Sequence, residues 1–598
     1  MTQATTSAKV ALMINGMHVE ADMGMTILQA AGKAGIHIPT MCYLENVSCI
    51  GACRICLCEV DGARTLVAAC STPAVPGMKV RTNSRRVREA RRTIVELLLS
   101  EHDGDCPTCD RNADCELQAL ARELGIRENR YEGERTRKTT DLSTPAIMRD
   151  SGKCIKCRRC VSVCAETQRV GALFPQGRGF DTVIGPAFAR ELSTVPCVQC
   201  GQCIAVCPVG AITEQSHIER VWDAIDNPNV HVVVQTAPAI RAALGESFGC
   251  EPGTLVTGKM VAALRRLGFD GVFDTNFTAD LTILEEGTEL LTRLKKALMD
   301  KQDVALPMFT SCSPGWIKFA EYYHPDMLPN LSTCKSPQQM FGALAKTYYA
   351  RKLDRLPQDI FCVSVIPCTA KKFECQRPEM YDSGVQDVDA VLTTRELAKM
   401  IEEAGIDFMK LPDEEMDAPM SMSTGAADIF ANTGGVMEAA LRTAYEIVTG
   451  RQLPAEKLHI APIMGLDGIK ELSLTIEGTV ADWSFLEGAT LKVAVAHGLG
   501  NADRLIKSIK SGERSFHFIE VMSCPGGCIG GGGQPRFCTD DVRKARMAAI
   551  YREDEGKSLR KSHDNPAVKQ LYEEFLGQPL GEKSHHLLHT RYTPRARV

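Results

Sequence analysis

The stretches "CIKCRRCVSVC" (residues 154–164) and "CVQCGQCIAVCP" (residues 197–208) carry eight of the 26 cysteines of this chain. Each has the spacing C-x2-C-x2-C-x3-C, so the two stretches form an approximate internal repeat. Cysteine pairs in small secreted proteins usually form disulfides, but this chain has 598 residues and its N-terminus lacks the segments of a signal peptide. In such a chain clustered thiols are more often metal ligands.

The repeated spacing is that of bacterial ferredoxins that hold two four-iron clusters. In this pattern three closely spaced thiolates bind one cluster and the fourth reaches across to the other. The predicted sets are Cys154, Cys157 and Cys160 with Cys207, and Cys197, Cys200 and Cys203 with Cys164. Zinc ribbons are the alternative, but two copies of this four-cysteine spacing favour iron–sulfur clusters.

A β-rich segment at the N-terminus contains Cys42, Cys53, Cys56 and Cys70 with the spacing C-x10-C-x2-C-x13-C. The first gap departs from the plant-type two-iron pattern, C-x4-C-x2-C. The segment instead resembles the N-terminal two-iron domain of the large iron–sulfur subunit of respiratory complex I and of related hydrogenases. That resemblance implies a β-grasp domain with one 2Fe-2S cluster. Cys49 and Cys58 are expected to be buried small hydrophobic residues, with Cys49 as an alternative ligand.

The next motif, "HDGDCPTCDRNADC", spaces His102, Cys106, Cys109 and Cys115 as H-x3-C-x2-C-x5-C. One histidine and three cysteines also suit zinc, which is the first interpretation of the motif in isolation. Between a two-iron unit and a twin four-iron unit, it resembles the His/Cys3 four-iron site of the same complex I subunit. An imidazole in place of a thiolate removes a negative charge and is expected to raise the potential of that cluster.

Beyond residue 227 apolar strands alternate with helical stretches, which predicts an α/β domain. Three of its segments carry cysteines: "FTSCSPGW" (309–316), "VIPCTAKKFE" (365–374) and "EVMSCPGGCIGGGGQP" (520–535). Thiols at strand-to-helix junctions can converge on one buried inorganic centre. Core packing is the expected role of Cys250, Cys334, Cys362, Cys375 and Cys538. Core packing does not explain the C-x3-C motif and the four glycines that follow it, because glycines at that position suggest backbone pressed against a bulky ligand.

These segments, with the tail "YREDEGKSLRKSHDNPAVKQLYEEFLGQP", resemble the iron-only (FeFe) hydrogenases over nearly the whole chain. The resemblance implies reversible H2 oxidation and proton reduction at an H-cluster, a four-iron cubane joined to a two-iron unit with CO, cyanide and a bridging azadithiolate. One 2Fe-2S and three accessory 4Fe-4S clusters would carry the electrons. The implied architecture is multidomain, α+β and α/β. Its parts are a two-iron ferredoxin-like domain (1–82), a small helical His/Cys3 domain (83–125), a twin four-iron ferredoxin domain (140–220) and an H-cluster domain with a helical tail (227–598).

The resemblance also assigns roles to single residues of the last domain. Cys368, Cys524 and Cys528 would hold the cubane, and Cys528 would bridge to the two-iron unit. Lys371 would hydrogen-bond a cyanide, since a buried ammonium needs an anionic partner. Residues that would line the two-iron pocket are Ala237, Pro238, Ala239 and Met522.

Protons must reach such a site from solvent through a relay of acids. Glu286 and Glu289 are three residues apart and share one helix face, and with Ser332 they match the relay of the family. Glutamates at this spacing are otherwise usually a solvated helix face.

The stretch "TSCSPGW" departs from the family motif, in which two adjacent cysteines precede the proline. The first cysteine of the family donates protons and the second is the remaining cubane ligand. Here the first is Cys312, but the second is Ser313. Motif position favours Cys312 as proton donor, whereas ligand chemistry favours its thiolate over the Ser313 alkoxide as the ligand of iron. The sequence leaves the choice open.

The electron partner is expected to lie outside the chain, because no G-x-G-x-x-G follows a predicted strand and the "GGGG" run lacks the Lys-Ser/Thr of a phosphate-binding loop. The sequence around 307–350 resembles catalytic subunits of multimeric NAD(P)-linked, electron-bifurcating hydrogenases. Flavin-binding and ferredoxin-like subunits in a hetero-oligomer are therefore expected. A monomeric ferredoxin-linked enzyme, a non-catalytic H2 sensor and a complex I-like electron-transfer subunit are the alternatives.

Composition limits the classes of partner and the cellular location that we expect. A net charge of −5 without a long basic run argues against nucleic acid. No apolar stretch approaches the ~18 residues that span a bilayer. We expect a cytoplasmic protein that does not insert into membranes.

Overall fold

The computed structural model describes residues 8–133, 135, 138–454 and 457–597. Residues 1–7, on which the prediction of location partly rests, lie outside the described residues. No described helix is long and apolar enough to cross a membrane.

The N-terminal unit is a mixed five-stranded sheet with one helix against it, in the strand order β2-β1-β5-β3-β4. Its elements are β1 (Lys9–Ile14), β2 (Met17–Asp22), α1 (Ile27–Lys33), β3 (Leu57–Val60), β4 (Val67–Ala68) and β5 (Lys79–Arg81). Strand β1 pairs with β2 antiparallel and with β5 parallel. Alternate residues of β1 are buried, as expected for a strand with one face on the core. Thr26 caps helix α1, and its hydroxyl accepts a hydrogen bond from the Gln29 N–H in a capping box.

Cys49 corrects one sequence-based expectation about this unit. It was expected to be buried, but it is exposed, because it directly follows the tight turn closed by the Leu44–Ser48 bridge. Cys58 is buried as expected.

The next two units contain little regular secondary structure. The first has two helices, α2 (Arg85–Glu101) and α3 (Glu116–Glu123). The second has a three-stranded sheet, a two-stranded hairpin and two short helices: β6 (Thr140–Asp141), β7 (Ile147–Asp150), α4 (Arg159–Ser162), β8 (Phe174–Gln176), β9 (Val183–Gly185), α5 (Gln202–Ala205) and β10 (Ile212–Glu214). Apolar residues of both units and the loop around Cys42 share one core.

The remaining chain builds two four-stranded sheets flanked by helices. The first sheet has the order β12-β11-β14-β15 and is parallel throughout. Its strands are β11 (His231–Thr236), β12 (Gly271–Asp274), β14 (Ile360–Val365) and β15 (Ala390–Leu392). The second has the order β13-β18-β17-β16, with only β16 antiparallel to its neighbour. Its strands are β13 (Met308–Phe309), β16 (Ile469–Thr475), β17 (Thr490–His497) and β18 (Phe518–Met522).

Helices connect and cover these strands. They are α6 (Ile218–Ile225), α7 (Thr257–Leu267), α8 (Asn276–Leu298), α9 (Pro314–Tyr323), α10 (Pro337–Leu344), α11 (Ala350–Lys352), α12 (Lys371–Glu374), α13 (Thr394–Glu403), α14 (Gly425–Asp428), α15 (Gly435–Thr449) and α16 (Leu499–Lys510). The C-terminal segment adds α17 (Asp540–Gly556), α18 (Pro566–Leu571) and α19 (Glu582–Leu588).

The cysteine-bearing segments all leave parallel strands at their carboxyl ends. Strand β13 leads to Cys312, β14 to Cys368 and β18 to Cys524, while β11 leads to Ala237. The carboxyl edge of a parallel sheet is where α/β proteins place their ligands. The two sheets therefore present these loops to one place between them.

The C-terminal segment packs into the cores of both sheets. Met547 and Ile550 of α17 join the core around β17 and β18, and Leu571 of α18 joins the core around β11 and β14. Residues 588–590 then run antiparallel to residues 333–335, and the Thr590 N–H donates to the Thr333 carbonyl at 2.7 Å.

Candidate functional site

The repeated cysteine runs surround two small cavities. One is lined by Cys154, Cys157, Cys160 and Cys207, and the other by Cys164, Cys197, Cys200 and Cys203. These are the two sets that the ferredoxin spacing groups together. Their ligand roles remain predictions.

The spacing of these thiols distinguishes a cluster from a single ion. Four thiolates around one zinc lie roughly 3.8 Å apart, the tetrahedral edge for a Zn–S bond of ~2.3 Å. Among the described residues, one group of three ligand-type side chains has its ligand atoms within 4.8 Å of one another, and that group contains none of these thiols. The wider arrangement fits a multi-iron cluster and not a lone zinc.

The four cysteines of the N-terminal unit also converge. The Cys42 thiol accepts a hydrogen bond from the Cys53 N–H at 3.5 Å. Side-chain hydrogen bonds with the Cys53 and Cys70 thiols lower the pKa of Cys42, and Cys56 in turn contacts Cys70. A compact set of four thiols fits the predicted 2Fe-2S cluster.

His102 ends α2 and is buried. Burial lowers the pKa of its imidazole, so the ring is neutral, as a metal ligand must be. Its Nδ1 has no hydrogen-bond partner among the described residues. A buried ring nitrogen without a partner fits a ligand of the predicted His/Cys3 cluster.

The His/Cys3 unit is pressed onto the twin-cluster unit. A Cβ on Gly210 would lie 2.6 Å from Cys109 Sγ, so only glycine permits this approach. Arg111 donates to the Cys207 carbonyl at 2.6 Å, and Arg159 forms a two-point ion pair with Glu116 at 2.6 and 3.0 Å. The His/Cys3 site therefore borders the cavity that Cys207 lines.

The central cavity lies between the carboxyl ends of the two sheets and has a volume of about 90 Å³. Its lining includes most of the residues predicted for the H-cluster: Ala237, Pro238, Cys312, Ser313, Cys368, Lys371, Met522, Cys524 and Cys528. Ala239 is buried directly behind this wall and contributes its carbonyl, which accepts from the Gln534 side chain at 3.2 Å. Four thiols and one lysine in a largely apolar cavity fit a resident metal cluster.

Cys312 and Ser313 occupy different sides of this cavity. Burial raises the pKa of the Cys312 thiol well above its usual value, and the negative charges of Glu286 and Cys528 add to this effect. The Ser313 hydroxyl instead lies 2.7 Å from that of Ser523, next to Cys524, and also accepts from the Ser523 N–H at 3.3 Å. The Cys312 thiol is thus within electrostatic reach of both Glu286 and Cys528, whereas the Ser313 hydroxyl is held at Ser523, beside Cys524.

Lys371 has a partner that the sequence analysis did not identify. Its ammonium donates to the Glu374 carboxylate at 2.8 Å and to the Cys312 carbonyl at 3.1 Å. Glu374 is buried and also accepts from Ser336 at 2.8 Å and Gln338 at 3.2 Å. The signal was present, because Glu374 is three residues from Lys371 on one short helix.

The predicted relay residues form a buried chain. Glu286 and Glu289 of α8 are buried and do not form a solvated helix face. The Ser332 hydroxyl donates to Glu289 at 2.9 Å, and Ser332 also acts on the pKa of Glu286, which it lowers against the effect of burial. At the outer end Arg293 donates to Glu289 at 2.6 Å. Burial, reinforced by the negative charge of Glu289, raises the pKa of Glu286 to about 8, so this carboxyl gains and loses a proton near neutral pH.

The glycine run at 530–533 contacts both the central cavity and protein backbone. Gly531 lines the cavity, so the expected contact with a bound ligand stays a prediction. A Cβ on Gly531 would lie 2.2 Å from the Pro367 carbonyl, and one on Gly532 would lie 2.4 Å from the Cys200 carbonyl. The run packs the catalytic loop against the loops of Cys368 and Cys200, which sets the second small cavity beside the central one.

Five family models match successive parts of the chain. They are a 2Fe-2S iron-sulfur cluster binding domain (7–85), the NADH-ubiquinone oxidoreductase-G iron-sulfur binding region (91–130), a 4Fe-4S dicluster domain (153–211), the iron only hydrogenase large subunit, C-terminal domain (230–532), and the iron hydrogenase small subunit (540–595).

Similar proteins align over most of the chain. The NADP-reducing hydrogenase subunit HndD of Solidesulfovibrio fructosivorans is 53% identical over 98% of this chain and 99% of its own length. Iron hydrogenase 1 of Clostridium pasteurianum is 41% identical over 97% of this chain and 99% of its own length. The solved structure of a variant of the [FeFe]-hydrogenase HydA1 from Chlamydomonas reinhardtii is 44% identical, with a TM-score of 0.57, and covers 64% of this chain and 99% of its own.

Proposed function

The chain belongs to the iron-only hydrogenases, and from that premise we propose that the cavity between its two sheets is the site of reversible H2 oxidation. The multidomain α+β and α/β architecture, with 2Fe-2S and 4Fe-4S domains before the catalytic one, is confirmed. The observation that carries the proposal is the convergence of Cys368, Cys524 and Cys528 with Lys371 on one buried cavity. A complex I-like electron-transfer subunit has no need of this cavity.

The H-cluster, when bound, supplies the metal at which H2 is cleaved or formed. Cys368, Cys524 and Cys528 would hold its cubane. The fourth position would face Ser313, whose hydroxyl is held on that side by Ser523. Lys371, fixed by Glu374, would place its ammonium against the anionic ligands of the two-iron unit.

We assign Cys312 the role of proton donor because the Glu286 carboxyl acts on its thiol, while Ser313 occupies the position beside Cys524. Glu286 exchanges a proton with Cys312. The Glu286 carboxyl can do so because its pKa is about 8, so that it both gains and loses a proton near neutral pH. The Ser332 hydroxyl, which donates to Glu289, accepts the proton of Glu286 and passes its own on to Glu289. Glu289 delivers it toward solvent beside Arg293.

Electrons would leave through the accessory sites. The set with Cys200 borders the central cavity, and the set with Cys207 borders the His/Cys3 site. The loop of Cys42 packs in the same core, so the two outer units are alternative exits. Such a branched path suits a catalytic subunit that serves more than one partner.

We propose that the acceptor is an NAD(P)-linked flavoprotein subunit, with ferredoxin as the second carrier, in a cytoplasmic hetero-oligomer. The Solidesulfovibrio relative bears the name of an NADP-reducing subunit. The nearest approach to a dinucleotide motif in this chain, at Gly498–Gly500, is covered. The side chain of Gln168 accepts from the Leu499 N–H at 3.1 Å, where a phosphate would have to bind.

The test uses the matured full-length chain. Its infrared spectrum should show CO and cyanide bands, and it should oxidise H2 with a viologen dye. It should not reduce NAD+ or NADP+ until a flavoprotein partner is added. Absence of the bands would contradict the hydrogenase site, and nicotinamide reduction by the chain alone would contradict the external acceptor.

A further inference from the structure

A second group of ligand-type side chains lies at the outer end of the relay. The ligand atoms of Glu289, Cys334 and His589 all lie within 4.8 Å of one another, and all three residues are buried. Cys334 Sγ is 3.9 Å from Glu289 Oε2 and 4.0 Å from His589 Nδ1. The sequence analysis assigned Cys334 to core packing, and nothing in the mechanism above uses its thiol or this imidazole.

The backbone sets Cys334 beside His589. The two residues form an antiparallel bridge, flanked by hydrogen bonds from Lys335 N–H to the Leu588 carbonyl at 2.8 Å and from Thr590 N–H to the Thr333 carbonyl at 2.7 Å. This makes them a non-hydrogen-bonded pair, the arrangement in which opposite side chains approach most closely. Their proximity is therefore built into the fold and does not depend on a chance rotamer.

The third ligand is fixed as well. Arg293 holds Oε1 of Glu289 at 2.6 Å, and the Ser332 hydroxyl and the Thr333 N–H contact Oε2 at 2.9 and 3.1 Å. Oε2 is the oxygen that approaches the Cys334 thiol. A carboxylate, a thiol and an imidazole thus meet in the same small volume.

The imidazole is oriented for a metal on Nδ1. Its Nε2 lies 3.2 Å from the Glu285 carboxylate, which also accepts from the Tyr572 hydroxyl at 2.6 Å. A carboxylate on the far nitrogen of a ligating histidine is the usual second-layer support of zinc sites, because it fixes the tautomer and strengthens the donor. The Nδ1 partner in this structure is the Thr333 hydroxyl at 2.7 Å, which a metal would replace.

We propose that Glu289, Cys334 and His589 bind one divalent cation of the zinc class, and that occupation of this site withdraws Glu289 from proton transfer. Thiolate, imidazole and carboxylate are the three donors that zinc accepts, and a water completes its tetrahedron in three-ligand sites. Tetrahedral edges for such donors are roughly 3.3–3.6 Å, so the ligands need only small shifts. The exposed ring of His585 stacks on His589 at 4.6 Å, which places the site one ring from the surface.

The inhibitory half of the proposal rests on the proposed relay, whereas the binding half does not. If zinc binds here, Glu289 is coordinated and no longer accepts a proton from Ser332. Zinc is then expected to lower hydrogenase activity without disturbing the central cavity. Binding and inhibition are therefore measured separately.

The experiment measures H2 oxidation by the matured full-length enzyme with oxidised viologen as electron acceptor. The buffer contains no thiol reductant, and free Zn2+ is set to known concentrations with a metal buffer. Zinc K-edge absorption on the same samples reports the ligand shell. Three variants are compared: Cys334→Ala, Cys334→Ser and, as matched control, Cys362→Ala. Cys362 is as deeply buried as Cys334 but lies on β14, away from the relay.

We expect one tightly bound zinc with a single sulfur ligand in the wild type and in Cys362→Ala. Both Cys334 variants should keep uninhibited activity but need at least about tenfold more zinc for half-inhibition, and their zinc shell should lack sulfur. Equal zinc sensitivity and equal sulfur ligation in wild type and Cys334→Ala would overturn the site. Zinc bound through Cys334 without loss of activity would establish the site and refute the role of Glu289 in the relay.

Discussion

Replacing Glu286 by glutamine should strongly lower activity and yet stabilise the fold above neutral pH. Burial and the charge of Glu289 raise the pKa of Glu286 from 4.5 to about 8. At pH 7 the folded chain therefore retains a proton that the unfolded chain has released. At ~1.4 kcal/mol per pKa unit, that difference costs the fold roughly 3 kcal/mol. The cost is absent below the unfolded pKa, grows as the pH rises and levels off above the folded pKa.

Glutamine keeps the shape of the side chain and does not titrate, so Glu286→Gln removes this cost. The apparent melting temperature of the variant should exceed that of wild type by an amount that increases from pH 5.5 to pH 8. Activity with a viologen dye should fall by roughly 10²–10⁴-fold, the usual worth of a positioned acid. The infrared bands of the H-cluster should remain, because Glu286 holds no iron in the proposed site.

The neighbouring Glu285 provides a control of opposite sign. Burial opposes its ionisation, but hydrogen bonds from His589, Ser584 and Tyr572 and from the Leu580 N–H outweigh it and lower the pKa. This carboxylate stabilises the fold above its unfolded pKa and ceases to do so as the pH falls through its lower folded pKa. Glu285→Gln should therefore destabilise the chain at pH 7 while dye-linked activity persists. Wild-type activity in Glu286→Gln, or a melting difference independent of pH, would refute the reasoning.

Three further changes test other parts of the site. Cys312→Ala should keep the infrared and paramagnetic signals of the cluster while activity falls ~10²–10⁴-fold; loss of the cluster would instead make Cys312 the fourth ligand, and full activity would exclude both roles. His102→Cys adds a thiolate and should lower the potential of one centre in a redox titration, and an unchanged set of potentials would remove the cluster from that site. Gly532→Ala places a Cβ 2.4 Å from the Cys200 carbonyl and should slow electron transfer from the central cavity to the dye while the infrared bands persist; unchanged rates would show that the loops separate freely.

The sequence predicted the cysteine sets because their ligands are close along the chain. Spacings such as C-x2-C-x2-C are local, and the structure brings the cross-paired fourth cysteines, Cys164 and Cys207, into the expected cavities. Glu374 is equally local, three residues from Lys371, but the motif predicts only the ligand as the partner of Lys371.

Such local patterns do not predict contacts between residues that are far apart in the sequence. The pairing of Cys334 with His589 joins residues 255 apart in sequence, and that of Ser313 with Ser523 joins residues 210 apart. Both depend on which strands become neighbours, which no short motif records. The backbone contacts of the glycine run were missed for the same reason, since the loops that it contacts come from distant parts of the chain.

The C-terminal segment has a consequence for how the protein can be divided. It is joined to the catalytic loop through an exposed turn at Phe537, while α17 and α18 are anchored by buried apolar contacts. The family model that matches residues 540–595 describes a small subunit. Because these contacts are non-covalent, we expect that the chain can be cut at this loop without loss of assembly. Residues 1–537 and 538–598, expressed as two polypeptides, would associate into a split enzyme in which the second fragment still closes the outer wall of the relay.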